Sequence, residues 1–282
     1  MESSIRAHLI PVLGKIPVTG IGVKQVQTLI SGIKSSKKTR ENVVGDLSSI
    51  LNAARKWYPN VPAIEKADLY FAGAEPQEPF VFTPTQMRAI LNYFSTKPTW
   101  DLFFTLLPLS GFRSGEILGL RVSDSDFEHN KIWVKQSVWN GKTQTVKTRA
   151  SKKPVPMTSL VRAKLLEYLK HHKHELLFVN RNGRPYSRDK VVAKVLHPAL
   201  KELGIQHEGR RCGLHAFRHG LASMLVESAS TAIAQRQLRH ANASTTLGIY
   251  AHVIPEDHSE AMEEIQSVLI GTPAEGPVAT AM

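Results

Sequence analysis

The chain has 282 residues, 42% of them hydrophobic, and carries 36 Lys and Arg against 24 Asp and Glu, a formal charge of +12. That length suits one large domain or two ordinary ones with real cores, and the charge points to a polyanionic partner, nucleic acid first, with ordinary solubilising charge as the other reading. No apolar run approaches membrane-spanning length, the first residues lack the zones of a signal peptide, and the single Cys212 excludes an internal disulfide, so a reducing, cytoplasmic location without membrane contact is expected.

Residues 1–66 read as short helices with polar outer faces and hold ten Lys and Arg against four Asp and Glu. Leu9, Val12 and Leu13 come first, then a Gly- and Pro-punctuated segment from Gly14 to Gly22. Val23, Val26, Leu29, Ile30 and Ile33 follow at helical spacing, as do Val43, Val44, Leu47, Ile50, Leu51 and Ala54. Between these two helices Lys34, Lys37, Lys38 and Arg40 are candidates to lie on phosphates. The alternative is a solvated turn with a helix cap at Thr39. Residues 67–82, with Gly73, Pro76 and Pro79, form a linker.

A new domain opens at Thr83, where a capping Thr, Pro84 at the first helical position and Gln86 three residues on make a capping box. The run Leu102 to Leu109 is a buried helix. Arg113 follows Gly111 at a bend before another helix, where a guanidinium can face an anion or simply pair with Glu116. The period then changes. Lys131 to Lys135 alternates, Asn140-Gly141 marks a hairpin, Thr143 to Thr148 alternates again, and a third short strand spans Pro154 to Met157, giving one small antiparallel sheet. Leu160 to Leu169 is an amphipathic helix whose end carries His171, His172 and His174. Cationic side chains are favourable there, and no acid or cysteine pattern completes a metal site. Leu176 to Tyr186 reads as strand and turn, and Lys190 to Leu203 as a helix ending at Gly204. Cys212 reads as a packing residue.

Residues 211–252 carry the chemistry. His215 and Arg218 stand three apart and share a helix face, so they can reach one ligand together as a phosphate grip. His240 follows, and Tyr250 comes ten residues later. Cationic donors, a proton acceptor and a hydroxyl nucleophile are what covalent catalysis on a phosphate requires, with no metal or cofactor. Taken singly, each has a plainer reading: Tyr250 as an aromatic in a core or on a surface, His215 as a packed histidine, Arg218 as surface charge, His240 as a helix cap. After Pro255, residues 256–270 form a short amphipathic helix with Ala261, Met262, Ile265, Val268 and Leu269 near one face. Residues 271–282 have the Gly, Pro and Ala content of a disordered tail. From 255 onward there are six acids and no Lys or Arg, so this end avoids DNA.

His215-x-x-Arg218, Leu238-Arg-His240 and Thr245-Thr-x-x-x-Tyr250, together with Gly111-Phe-Arg113-Ser-Gly-Glu-Ile-Leu-Gly-Leu upstream, resemble the motifs of the tyrosine recombinases, the phage-integrase family. The resemblance spans roughly residues 8–255 in the right order. It implies a mainly α fold with a small antiparallel β-sheet: a helical core-DNA-binding domain at 1–66, the linker at 67–82, and an α+β catalytic domain at 83–270. Met1 falls close to the Leu9-x-Pro11-x-x-Gly14 motif, so the first domain is expected to be truncated at its start. Val146-Lys147-Thr148 through Ser151-Lys152-Lys153 resembles the family's hairpin, whose lysine enters the active site. By motif position that is Lys147, with Lys142, Lys152 and Lys153 as fallbacks or as contacts to backbone phosphate.

The function implied is site-specific recombination of double-stranded DNA through a 3′-phosphotyrosine on Tyr250. Arg113, Arg218 and His240 would stabilise the phosphate, His215 would take the tyrosine proton, and Lys147 would protonate the leaving oxygen. The helix at 256–270 is expected to dock on a neighbouring subunit of a homotetramer assembled on DNA. The sequence departs from the family in three places. Arg239 stands where glycine is usual, either crowding the approach of His240 or adding a phosphate contact; Gly220 replaces a frequent threonine; and 227–234 lack a glycine often found between helices. Two alternatives stay open: a decayed or repurposed integrase that binds DNA without turnover, and a type IB topoisomerase, against which the helix after Tyr250 speaks.

Overall fold

The structure is a computed structural model and describes residues 2–72, 79–145, 152–228 and 231–239. The chain divides into two units, Met1–Glu78 and Pro79–Met282, each closed around its own apolar cluster.

In the first unit, α1 (Glu2–Ser4), a π turn at Ile5–Leu9 and α2 (Ile10–Leu13) run on from one another, and a 3-10 turn at Val18–Gly20 leads to α3 (Val23–Gly32) and α4 (Lys37–Ala54). The apolar spacing in the sequence becomes the buried face: Val26, Leu29 and Ile30 from α3 meet Val43, Val44, Leu47 and Leu51 from α4 in one cluster. Each such side chain contributes about 1.5–3 kcal/mol when fully removed from water. The cap of α4 is Ser36, not Thr39: Ser36 is extended at φ −63° and ψ 155°, and its Oγ accepts from the Thr39 backbone N–H at 3.2 Å. Thr39 stands inside the first turn, where it supplies the orphan donor that a cap must satisfy.

The second unit begins with α5 (Pro84–Phe94). Thr83 Oγ1 accepts from Gln86 N at 3.2 Å while Gln86 Oε1 accepts from Thr83 N at 3.0 Å, closing the capping box. Helix α6 (Pro98–Ser110) is apolar nearly all round and lies at the centre, burying Leu102, Phe103, Phe104, Leu106 and Leu107, with Phe104 stacked on Phe94 at 4.2 Å between ring centres. Helix α7 (Ser114–Leu118) follows. Strands β1 (Ser125–Asp126), β2 (Lys131–Ile132), β3 (Gln136–Trp139), β4 (Lys142–Thr145) and β5 (Val155–Pro156) come next. Among the described residues α8 (Ser159–Leu169), α9 (Arg188–Val191), a π turn at Val192–Leu196, α10 (His197–Glu202), α11 (His215–Ser228) and α12 (Thr231–Leu238) follow.

The molecule is thus mainly helical with small antiparallel sheets. Among the described residues two sheets stand where one was expected. The hairpin β3–β4 turns at Asn140-Gly141, with φ of 48° and 72° as the primed two-residue turn requires, and pairs Trp139 with Lys142. Strand β5 pairs instead with β2, in the order β1-β2-β5. Among the described residues no helix is long and apolar enough to cross a membrane.

Candidate active site

The described part of the site joins segments that sit far apart in sequence. At the end of α6, Gly111 takes the left-handed conformation, φ +66°, and closes the helix. A Cβ there would fall 2.8 Å from Leu238 Cδ2 and 3.0 Å from Leu221 Cδ2, so glycine also lets α11 and α12 approach. Arg113, two residues on, is extended and caps α7, with its backbone N–H donating to Glu116 Oε2 at 2.8 Å and its Nη1 to Glu116 Oε1 at 2.8 Å. The ion pair foreseen as the plain reading of Arg113 is therefore present, while the arginine side chain stays about a third exposed.

Arg218 lies one turn into α11 and is buried. Its Nη1 donates to the Gly111 carbonyl and its Nη2 to the Leu238 carbonyl, so one guanidinium joins the last turns of α6 and α12. Gln237 Nε2 adds a contact to the Ser110 carbonyl at 3.4 Å. These carbonyls belong to helix ends and carry the partial negative charge of the helix dipole, which suits a cation.

His215, the first residue of α11, is solvent-exposed on one side. Its ring lies 6.3 Å from that of His219. Crowding by protein atoms, then the charges of His219, Arg218, Arg113 and Arg188, push its pKa from 6.5 down to about 4. The water contact of the ring moderates the first of these causes, while the cationic surroundings fix the direction. His215 is therefore a neutral imidazole at neutral pH, able to accept a proton. His219, whose pKa is also lowered by burial and by Arg218, shares this basic neighbourhood. Arg188 was not singled out from the sequence; it begins α9, stacks over Trp139 of the hairpin at 4.9 Å and pairs with Asp189 at 2.9 Å.

Arg239 is the residue whose role the sequence left open. Its backbone is left-handed, φ +56°, a conformation that costs a residue with a Cβ about 1–2 kcal/mol. This explains why glycine suits the position. The side chain is buried, its Nη2 lies 2.6 Å from Glu116 Oε2, and its guanidinium stands over the Phe112 ring at 5.4 Å. Arg239 thus turns inward onto Glu116 and presents no surface for a phosphate. Burial works to raise the Glu116 pKa, but Arg239, then the backbone and side chain of Arg113, outweigh it and hold the carboxyl below its usual value.

Gly220 has a steric reason. A Cβ would stand 2.0 Å from Met87 Cε and 2.5 Å from the Phe82 carbonyl oxygen, so α11 passes against the backbone just ahead of α5. Cys212 is buried, and burial pushes its thiol up to about 11, which disfavours the reactive thiolate.

Lys147, His240 and Tyr250 lie outside the described residues, as do 256–270 and 271–282. Lys34 and Lys38 are exposed, Lys38 with Glu41 at 3.4 Å, and Lys37 is half-buried. Arg40 is tied into its own unit, donating through Nε to the Ile33 carbonyl at 3.0 Å and through Nη1 to the Ala72 carbonyl. Lys142, Lys152 and Lys153 are exposed near the small sheets. A cleft of about 740 Å³, edged by Trp100, Tyr186 and the basic side chains Arg181, Arg184, Lys190 and Lys194, does not include Arg113, His215 or Arg218. Among the described residues no cluster of His, Cys, Asp and Glu is placed to hold a metal ion.

The chain resembles known proteins in sequence and in fold. Residues 81–257 match the model of the phage integrase family. Tyrosine recombinase XerA of Thermococcus onnurineus is 28% identical over 225 residues, covering 79% of this chain and 76% of that protein. A XerC-like tyrosine recombinase of Caldanaerobacter subterraneus is 27% identical over 190 residues, 57% of this chain and 47% of that protein, and the integrase of Staphylococcus phage L54a is 25% identical over 57% of this chain and 50% of its own length. The chain spans about half the length of several of the curated relatives it matches. In fold it is similar to the Tn1549 transposon integrase solved with transposon right-end DNA, at a TM-score of 0.72 and 22% identity over 94% of this chain and 92% of that one. It is likewise similar to XerH bound to its difH substrate, at a TM-score of 0.61 and 20% identity over 89% and 71%. With the family's model covering well over half its length, the chain belongs to the phage integrase family of tyrosine recombinases.

Proposed function

We propose that this protein is a site-specific DNA recombinase that cuts and rejoins double-stranded DNA through a 3′-phosphotyrosine. Tyr250 Oη attacks the phosphorus; the new O–P bond forms as the bond to the 5′ oxygen breaks. The tyrosine proton passes to His215, and Lys147 protonates the departing 5′ oxygen. Arg113, Arg218 and His240 balance the negative charge that grows on the non-bridging oxygens. A 5′ hydroxyl, from the same strand or a partner duplex, reverses the step without ATP or metal, because the phosphotyrosine keeps the energy of the bond. Tyrosine ionises near pH 10 on its own, so a base and cations must assist it.

The observation that carries the reading is geometric: Arg218, one turn on from His215, is bonded to the ends of α6 and α12, with Arg113 just past the end of α6, and burial together with the charges of His219, Arg218, Arg113 and Arg188 lowers the His215 pKa. In this reading residues 1–66 bind the core DNA with Lys34, Lys37 and Lys38 toward phosphates, 67–82 link, and 83–270 act as the catalytic domain. Lys152 and Lys153 touch backbone phosphate, and the helix at 256–270 joins protomers of a homotetramer on DNA. The test is covalent trapping. Purified protein is incubated with nicked suicide fragments from its own genomic neighbourhood, denatured and examined for protein-linked DNA, beside Tyr250→Phe. The reading expects an adduct that the variant lacks. Site-specific binding without any adduct establishes the non-catalytic binder instead.

A further inference from the structure

Arg239 combines three properties that pull against one another. Its backbone sits in the left-handed region, φ +56°, where glycine is at ease and arginine is not. It is 2% exposed, where a guanidinium is costly to place. And its charge is spent on Glu116, 123 residues away in sequence, which also holds Arg113. A simple helix terminator does not need a side chain, since glycine closes α12 with less strain. A direct phosphate contact does not fit a side chain so fully covered. What remains is an action through Glu116.

Glu116 accepts from Arg239 Nη2 on Oε2 at 2.6 Å and from Arg113 Nη1 on Oε1 at 2.8 Å, and its Oε2 also takes the Arg113 backbone N–H at 2.8 Å. Without Arg239, the buried carboxylate would lose the guanidinium on its Oε2 and could turn on Arg113. With it, two guanidinium groups share one carboxylate and both carboxylate oxygens are held in place. The Arg239 turn also aims the preceding carbonyl, Leu238 O, at Arg218 Nη2. One residue thus bears on both buried-side anchors of the arginines.

We infer that Arg239 is a positioning residue for strand cleavage: it clamps Glu116 so that Arg113 presents its guanidinium to the scissile phosphate in a fixed place. The inference rests on the recombinase reading given above. It does not touch DNA, so its loss slows the chemistry and leaves binding intact.

The experiment measures the rate of covalent adduct formation and the affinity for the same DNA fragment, with thermal melting, in the full chain carrying Arg239→Gly, Arg239→Gln or Arg239→Lys. The expected result is adduct formation slowed tenfold or more by Gly and by Gln, with affinity within threefold of wild type, and a Lys variant within threefold of the wild-type rate. Gly relieves the backbone, so a Gly variant at wild-type rate overturns the inference and leaves the recombinase reading intact. Should the Gly variant fail to fold, Lys against Gln decides: equal rates overturn the inference, and a Lys rescue sustains it. Wild type without any adduct overturns the recombinase reading and this inference with it.

Discussion

Arg113 and Arg239 share a single carboxylate, one on each oxygen of Glu116, at 2.8 and 2.6 Å. The site's outer arginine is therefore held from behind by a buried pair, and the arrangement is as exposed to loss of the carboxylate as to loss of either cation.

Glu116→Gln should destabilise the catalytic unit by about 3–5 kcal/mol at neutral pH, because it leaves the buried Arg239 without its counter-charge. The folded pKa of Glu116 lies below its usual 4.5, so the ionised carboxylate stabilises the fold above that range and its contribution fades as the pH falls through the depressed value. Urea unfolding of wild type and variant should show the widest gap near neutrality and a narrowing gap in acid. A gap independent of pH would show that the charge of Glu116 is not what matters.

His215 should titrate near 4, well below an ordinary histidine. In the unfolded chain the same ring takes its proton near 6.5, so the fold loses stability as the pH drops below 6.5 and goes on losing it until the folded pKa is passed. His215→Gln should remove that share of the acid sensitivity while abolishing adduct formation. An NMR titration of the imidazole resonances reads the pKa directly, and a midpoint near 6.5 would contradict both the burial of the ring and its cationic surroundings.

Gly220→Thr, which restores the residue frequent in the family, should cost roughly 1–3 kcal/mol through overpacking. The Met87 tip can swing away, but the Phe82 carbonyl oxygen, 2.5 Å from the added Cβ, is backbone. For a unit of this size that corresponds to a fall in Tm of about 2–4 °C per kcal/mol. An unchanged midpoint would mean that α11 slides freely along Phe82.

The basic residues of 34–40 should separate into two kinds. Lys34→Ala and Lys38→Ala should leave stability within about 0.5 kcal/mol and lower the slope of log affinity against log salt by about 1 each. Arg40→Ala should instead weaken the first unit by about 1–3 kcal/mol, since Arg40 serves the Ile33 and Ala72 carbonyls. Denaturant midpoints and salt titrations of DNA binding distinguish the two; a salt effect from Arg40 with no loss of stability would reverse the assignment.

Much of the scaffold was legible in the sequence because its signals are local. The Thr83 and Gln86 exchange, the Asn140-Gly141 turn and the apolar spacing of α3 and α4 each involve residues within a few positions of one another. The partner of β5 was not legible, since period-2 alternation announces a strand without saying whether β2 or the hairpin will receive it. Ser36 and Thr39 are both capping residues, and only the backbone angle of Ser36 separates them. Arg239 was visible as a departure from glycine, but a lone arginine reads as solvent-facing charge. Its burial depends on Glu116, which no short-range pattern connects to it. Gly220 was visible in the same way, and its cause lies in the backbone of Phe82.

Arg218 reaches back 107 residues to Gly111, and Arg239 reaches back 123 to Glu116. Closing loops of that length is entropically slow, and a guanidinium gains nothing from leaving water until its partner has arrived. The charged layer is therefore expected to form late, after α11 and α12 have docked through Leu221, Ala222 and Leu238. Assembly of the arginine set is thus tied to completion of the fold: a chain caught short of its native state has its helices but no joined set of arginines.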